Sequence, residues 1–293
     1  MISVQLAILA RLLVFITMVF LHSLVWAAES GGEKKFLTLW AGMVPIILAA
    51  PHGGRQAIPG VIPRRGIGVA QFAVGRDNNT DELAVKVAEA IQQRLDAKPF
   101  VVIAHFERKY IDVNRSSDGA YESSEAKPYY EAYHRALAQA CEDARRSWGH
   151  GLLLDIHGQG AESETIFRGT DNGKSITALQ ARYGREALIG EKSILGQLER
   201  RGYKIVPAAI TDEPERRYTG GYTTRIYGSH RGTGIDAIQL EFGTSLRARA
   251  NLERTANDLA EAILAFARAY LPEKQLLPEP KPAAIPVTPF NQP

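Results

Sequence analysis

The sequence predicts an α/β layered domain on a mostly parallel sheet, and three observations predict it. Short apolar runs of strand length alternate with stretches whose apolar residues recur three or four apart. Several of the runs end in a polar residue or a glycine. The two patterns take turns along the chain with no internal repeat, as layers of helix on a sheet require.

The elements follow in order. "MVPIILAAP", residues 43–51, and "FVVIAHF", residues 100–106, are continuous apolar runs, the form taken by strands covered on both faces. Between them "TDELAVKVAEAIQQRLDA" spaces Leu83, Val87, Ile91 and Leu95 four apart, on one helical face. Helical spacing returns over Ala126–Trp148, Ile176–Arg201 and Arg247–Tyr270. The remaining strand candidates are "GLLLDIHG", "TIFRGT", "YKIVPAAI" and "AIQLEFG". Ligands of such sheets collect beyond the carboxyl ends of the strands.

Both ends of the chain are of another kind. Residues 1–27 hold a single charged side chain, Arg11, then the apolar run "LLVFITMVFLHSLV" and small residues ahead of "AES". This reads as an export signal cut after Ala27, placing the mature protein in the periplasm or outside the cell; the membrane enters only if the segment stays uncleaved as an anchor. Residues 28–43 form a lead-in, residues 44–270 the domain, and residues 271–293 a proline-rich tail that sustains neither helix nor central strand. Of 293 residues, 35 are Lys or Arg and 32 are Asp or Glu, a net +3 that falls to +2 without Arg11 and leaves no electrostatic footprint for nucleic acid. The single Cys141 lies in a helical pattern, which excludes an intrachain disulfide and a cysteine zinc cluster and reads as a packed thiol.

The polar residues at strand ends carry the chemistry. His52 follows "VPIILAAP", Asp155 and His157 follow "GLLL", and Glu241 interrupts "AIQLEFG". Each alone also reads as a turn or packing residue. Together, two histidines and a carboxylate at the strand ends of one sheet can hold a zinc ion and leave a position open for water. Asp155, two residues before His157, points to the same side and can accept the other ring N–H. For the third ligand the loop "VGRDNNTDELA" offers Asp77, ahead of a helix; Asp81, Glu82 and His105 are the alternatives. "HFERKYIDVNRSSDG" gathers Arg108, Asp112, Asn114 and Arg115, either a grip for a carboxylate or a solvated charged loop, with Arg108, Tyr110, Asp112 and Asn114 on one side if the strand runs through. "RRYTGGYTTRIYGSHRGTG", with Tyr222 and Arg225, is either a loop closing over substrate or an inert hairpin.

In this order and at these separations, "APHGG", "RDNNTDELA", "ERKYIDVNR", "LLLDIHGQG", "RYTGGYTTRIYG" and "IQLEFG" resemble the N-formylglutamate amidohydrolase family over about Val44 to Phe266. The resemblance implies a three-layer α/β/α phosphorylase/hydrolase-like domain with a mostly parallel mixed sheet, similar to zinc carboxypeptidases and aspartoacylases. It implies a zinc hydrolase that cleaves a C–N amide bond next to a carboxylate. His52, Asp77 and His157 then stand as metal ligands, Glu241 as the general base, and Arg115, helped by Arg108 and Asn114, as the holder of the substrate carboxylate, under the loop of Tyr222 and Arg225. The glutamate that the compact carboxypeptidase pattern sets three residues after the first histidine is replaced by Arg55. Cytoplasmic deformylases of histidine breakdown carry no export signal, so formylglutamate is not the expected substrate; N-acylated amino acids, short peptides or peptidoglycan fragments are. The rival readings are a non-catalytic exported binder of anions or peptidoglycan, and a zinc carboxypeptidase.

Overall fold

The computed structural model describes residues 32–209, 211 and 213–271; the expected signal segment, its cut site and the proline-rich tail beyond Leu271 lie outside the described residues. One seven-stranded sheet runs through the molecule in the order β1-β3-β2-β4-β7-β5-β6. Its strands are β1 (Leu37–Trp40), β2 (Ile46–Ala50), β3 (Phe100–Ala104), β4 (Gly151–Gly158), β5 (Thr165–Gly169), β6 (Lys204–Val206) and β7 (Ile235–Phe242). β1 runs antiparallel to β3 and β5 antiparallel to β7; every other pairing is parallel. The sheet is thus mixed and mostly parallel, as the sequence predicts.

Why the central strands read as unbroken apolar runs follows from what covers them. Ile46, Leu48 and Ala50 of β2 belong to one core cluster, with Leu83, Val87 and Ile91 and with Leu259 and Ile263. Ile47 and Ala49 belong to a second, with Tyr133, Leu137 and Ala140. The first face therefore packs under α1 (Thr80–Leu95) and, later in the chain, α6 (Arg249–Tyr270); the second packs under α2 (Lys127–Trp148). All five residues of β2 are completely buried. Each Ile or Leu so buried contributes about 1.5–3 kcal/mol relative to exposure. Cys141 is a free thiol packed into the second face, and burial raises its pKa.

Three expectations need correction. The helical pattern over 176–201 is three pieces: α3 (Thr177–Tyr183), a turn over Glu186–Ile189, and α4 (Ile194–Arg200). Gly184, at φ 70°, ends α3, and α4 restarts where the Ser193 hydroxyl accepts the Gly196 N–H at 2.9 Å. "YKIVPAAI" yields only β6, which stops before Pro207 because proline has no N–H for the ladder. β1 lies in what the sequence presents as a lead-in; Leu37 is buried and the other three residues are half-buried, an edge strand without a continuous apolar run.

The chain runs from β2 through α1 to β3 on one side, then through α2 to β4 on the other side of β2. The carboxyl ends of β2 and β4 flank this change of direction, and β7 is the next neighbour. That is where an open α/β sheet forms its crevice. No described helix is long and apolar enough to cross a membrane.

Candidate active site

His52 stands two residues beyond β2, and the two glycines behind it are there for room. A Cβ on Gly53 would strike the backbone and side chain of Asp81 in the first turn of α1, and one on Gly54 would strike the His105 carbonyl. The backbone can therefore turn tightly between β3's exit and α1's start. Asp77 is drawn to the same place by its own N–H, which donates to the His52 carbonyl at 3.0 Å. Its loop is pinned by Arg247, which donates Nη1 to Asn78 O at 2.6 Å, Nε to Phe242 O at 3.1 Å and Nη2 to Gln159 O at 3.2 Å.

His52, Asp77 and His157 are all buried and offer one ligand atom each, all within 4.8 Å of one another. Nδ1 of His157 lies 3.3 Å and Nδ1 of His52 3.5 Å from Asp77 Oδ2, which also accepts the Gly158 N–H at 3.0 Å. On the far side of each ring a carboxylate waits. His52 Nε2 is 2.7 Å from Asp112 Oδ1, and His157 Nε2 is 2.9 Å from Asp155 Oδ2. An ionised carboxylate can only accept, so each ring carries its proton on Nε2 and turns the Nδ1 lone pair inward. Nδ1 of His52 is buried with no hydrogen-bond partner among the described residues. Two inward lone pairs, one of them orphaned, and a carboxylate are the donor set of a divalent metal site whose histidines are oriented from behind. This buried trio could hold a metal ion.

The charges around it are strongly biased. Burial pushes the Asp77 carboxyl up, but the adjoining His157 and His52 rings outweigh it and leave the group well below the usual carboxylate range. Asp112 behaves alike: burial is overcome by the charge and hydrogen bond of His52, then by Arg108 and Arg115. Burial disfavours a charged His157, yet the Asp155 charge and hydrogen bond raise its proton affinity well above normal. These anions favour any cation at the trio, proton or metal.

Glu241 sits beside His157 in the β4–β7 register, almost fully buried. Burial raises its pKa, the charge of His157 pulls against this, and the charge of Asp77 adds to it. Gln239, two residues earlier on the same face, donates Nε2 to Glu241 Oε1 at 2.7 Å. A carboxyl of raised proton affinity beside a metal-ligand group is suited to take and return a proton.

The arginine-rich segment is not a continued strand: β3 ends at Ala104 and residues 107–115 turn. Asp112 is no part of a substrate grip but the partner of His52, and Arg108 holds it there, with Nε and Nη2 each 2.9 Å from Asp112 Oδ2. Asn114 is buried, its Oδ1 accepting Thr223 N–H at 2.8 Å and its Nδ2 3.2 Å from His157 Nε2. Arg115 donates to two carbonyls, Asn114 O at 2.9 Å and Gln71 O at 3.1 Å, contacts that fix the guanidinium without cancelling its charge. The glycine-rich segment is not a hairpin: it carries a helix, α5 (Tyr222–Tyr227). The Tyr222 ring lies edge-on to His134 with centroids 5.7 Å apart, and Arg225 is exposed. Of the alternatives to Asp77, His105 is spent on Thr38 Oγ1 at 2.7 Å, and Asp81 and Glu82 sit in the first turn of α1 outside the trio. Gln239 and Arg247 carry little signal in the sequence: a polar side chain on an apolar strand and an arginine beyond the end of one.

Fold and site define an α/β/α layered domain with a buried group able to hold a metal. Residues 122–247 match the family model of N-formylglutamate amidohydrolase. The structure of N-formylglutamate amidohydrolase from Ralstonia eutropha superimposes with a TM-score of 0.58 at 17% identity, covering 80% of this chain and 98% of that one. A gene product of Agrobacterium tumefaciens does so with a TM-score of 0.53 at 15% identity, covering 80% and 96%. No curated protein matches the chain by sequence. Over residues 122–247 the chain is thus similar to the N-formylglutamate amidohydrolase family, and this match together with the shared fold supports an amidohydrolase. The matched segment includes His157 and Glu241; His52 and Asp77 precede it.

Proposed function

We propose that the protein is an exported zinc-dependent amidohydrolase that cleaves a C–N amide bond next to a carboxylate. The observation that carries this reading is the inward pair of Nδ1 lone pairs on His52 and His157 beside Asp77, with the Glu241 carboxyl alongside. Zinc suits two imidazoles and a carboxylate, and when bound it lowers the pKa of a water and polarises a carbonyl. His52, Asp77 and His157 would hold the ion. Asp112 and Asp155 keep both imidazoles in the tautomer that can bind it.

Glu241 takes the proton of the attacking water on its carboxylate and returns it to the departing nitrogen, since an amine leaves an amide only when protonated. Gln239 occupies Oε1, which leaves Oε2 for that proton. Arg115, fixed by two carbonyls and still cationic, holds the carboxylate of the substrate. Arg108 contributes through Asp112. Tyr222 and Arg225 on α5 are the further residues we assign to contact with the substrate.

The test is a screen of purified mature protein, zinc-loaded and chelated, against N-acyl amino acids, short peptides and muropeptides. About one zinc per chain and chelator-sensitive release of an amine from a carboxylate-bearing amide are expected. A folded protein that binds no zinc and hydrolyses none of the three classes would make it an anion binder instead.

A further inference from the structure

Behind the trio, on the face of the sheet covered by α2 and α5, four side-chain oxygens are buried with no hydrogen-bond partner among the described residues. They are Asp155 Oδ1, Gln239 Oε1, Tyr133 Oη and Thr223 Oγ1. They converge. Asp155 and Gln239 are register partners on β4 and β7, so their side chains leave the same face side by side. Tyr133 is completely buried on α2 in the core cluster that contains Leu153 and Ala237, two residues before Asp155 and Gln239. Its hydroxyl also feels the Asp155 charge, which adds to burial in raising its pKa. Thr223 is tied in from α5: its N–H donates to Asn114 Oδ1 at 2.8 Å, and the Asn114 side chain lies against the His157 ring whose Nε2 is 2.9 Å from Asp155 Oδ2.

The orientation of both acceptors is forced. His157 occupies the other oxygen of Asp155. Gln239 must turn its amide N–H toward the Glu241 carboxylate, so its carbonyl faces the other way. A buried polar atom left unpaired costs about 1–3 kcal/mol, and four would be a large share of a folding stability of about 5–15 kcal/mol. Two of the four atoms are acceptors and two are hydroxyls, each with one proton to give. A water molecule has two protons and two lone pairs.

We infer that one buried water, accepting from Tyr133 and Thr223 and donating to Asp155 Oδ1 and Gln239 Oε1, joins the carboxylate that orients His157 to the amide that holds Glu241. Tyr133 and Thr223 are then positioning residues, acting on the metal ligand and the proton carrier through this water. A monovalent cation in its place would use all four oxygens as acceptors and leave two buried hydroxyl protons without a partner. The consequence for catalysis rests on the proposed function; the water itself does not.

The experiment is an atomic-resolution crystal structure of the full chain, with zinc affinity by chelator competition for the parent, Tyr133→Phe, Thr223→Val and Thr223→Ser. In the parent a single peak at hydrogen-bond distance from all four oxygens is expected. Tyr133→Phe and Thr223→Val should displace it and weaken zinc binding by about 10-fold, the lower end for loss of an outer-shell contact. Where an amide is turned over, kcat should fall with KM unchanged. Thr223→Ser, which keeps the hydroxyl, should match the parent, and the Thr223 pair decides the matter if Tyr133→Phe does not fold. The inference is overturned by a parent with no such peak, by a peak whose contacts mark a sodium or potassium ion, or by displacing variants with parental zinc affinity. If the chain binds no zinc and cleaves nothing, the proposed function falls, and the peak alone still decides for or against the water.

Discussion

Glu241 has one oxygen held by Gln239 and lies beside His157, so a change that keeps its shape isolates its proton chemistry. Glu241→Gln should retain zinc while kcat falls about 100-fold or more, read by metal analysis and steady-state kinetics on the same sample. A rate near the parent's would put the proton elsewhere. Arg115 is the complementary case: Arg115→Ala should raise KM about 10-fold or more with a smaller effect on kcat, and esterifying the substrate carboxylate should mimic it in the parent. An unchanged KM in a folded variant returns Arg115 to a loop contact. At this scale the sequence showed which residues were out of place, His52, His157 and Glu241 on apolar segments, because an unpaired polar group there demands a reason. It did not show that Asp112 answers His52, since the two are 60 positions apart and only the folded loop joins them.

The α2 helix carries His134, which binds α5 to the arginine-rich segment: Nε2 donates to Val113 O at 3.0 Å and Nδ1 is 3.1 Å from the Tyr227 hydroxyl. Rings of Tyr130, Tyr133, Tyr222 and Tyr227 surround it. Burial lowers its pKa from 6.5 to about 4, with the Val113 hydrogen bond and the Asp155 charge opposing. The unfolded chain therefore binds more protons than the folded one between these values. The stability that neutral His134 supplies is complete above pH 6.5 and is lost as the pH falls through about 4. The loss is at most about 3 kcal/mol by linkage. Denaturant unfolding across this window should show His134→Gln less acid-sensitive than the parent; identical slopes would contradict it. The long helices were legible because α1 and α2 bury a periodic apolar face. The 176–201 region was not, because its apolar spacing persists through Gly184 and Gly190 while the backbone does not.

For the whole molecule the sheet order decides everything about the site. β2, β4 and β7 are consecutive neighbours, which gathers His52, His157 and Glu241 at one crevice, and the α1 lead-in loop brings Asp77 over it. Strand candidates were readable from apolar runs, but their neighbour order is a property of crossovers that no local pattern records. The edge strand β1 escaped for want of a pattern at all. The ends of the chain make a prediction of their own: if the proposed export signal is cut at the small residues before Ala28, N-terminal sequencing should begin there, and an intact Met1 on a membrane-bound form would contradict it. The central claim is that the trio is a zinc site. Diffraction from zinc-loaded crystals at the zinc absorption edge tests it most directly. The account predicts one anomalous peak about 2.0–2.2 Å from Nδ1 of His52, Nδ1 of His157 and a carboxylate oxygen of Asp77. Zinc bound elsewhere on the chain, with no peak at those three atoms, would contradict it.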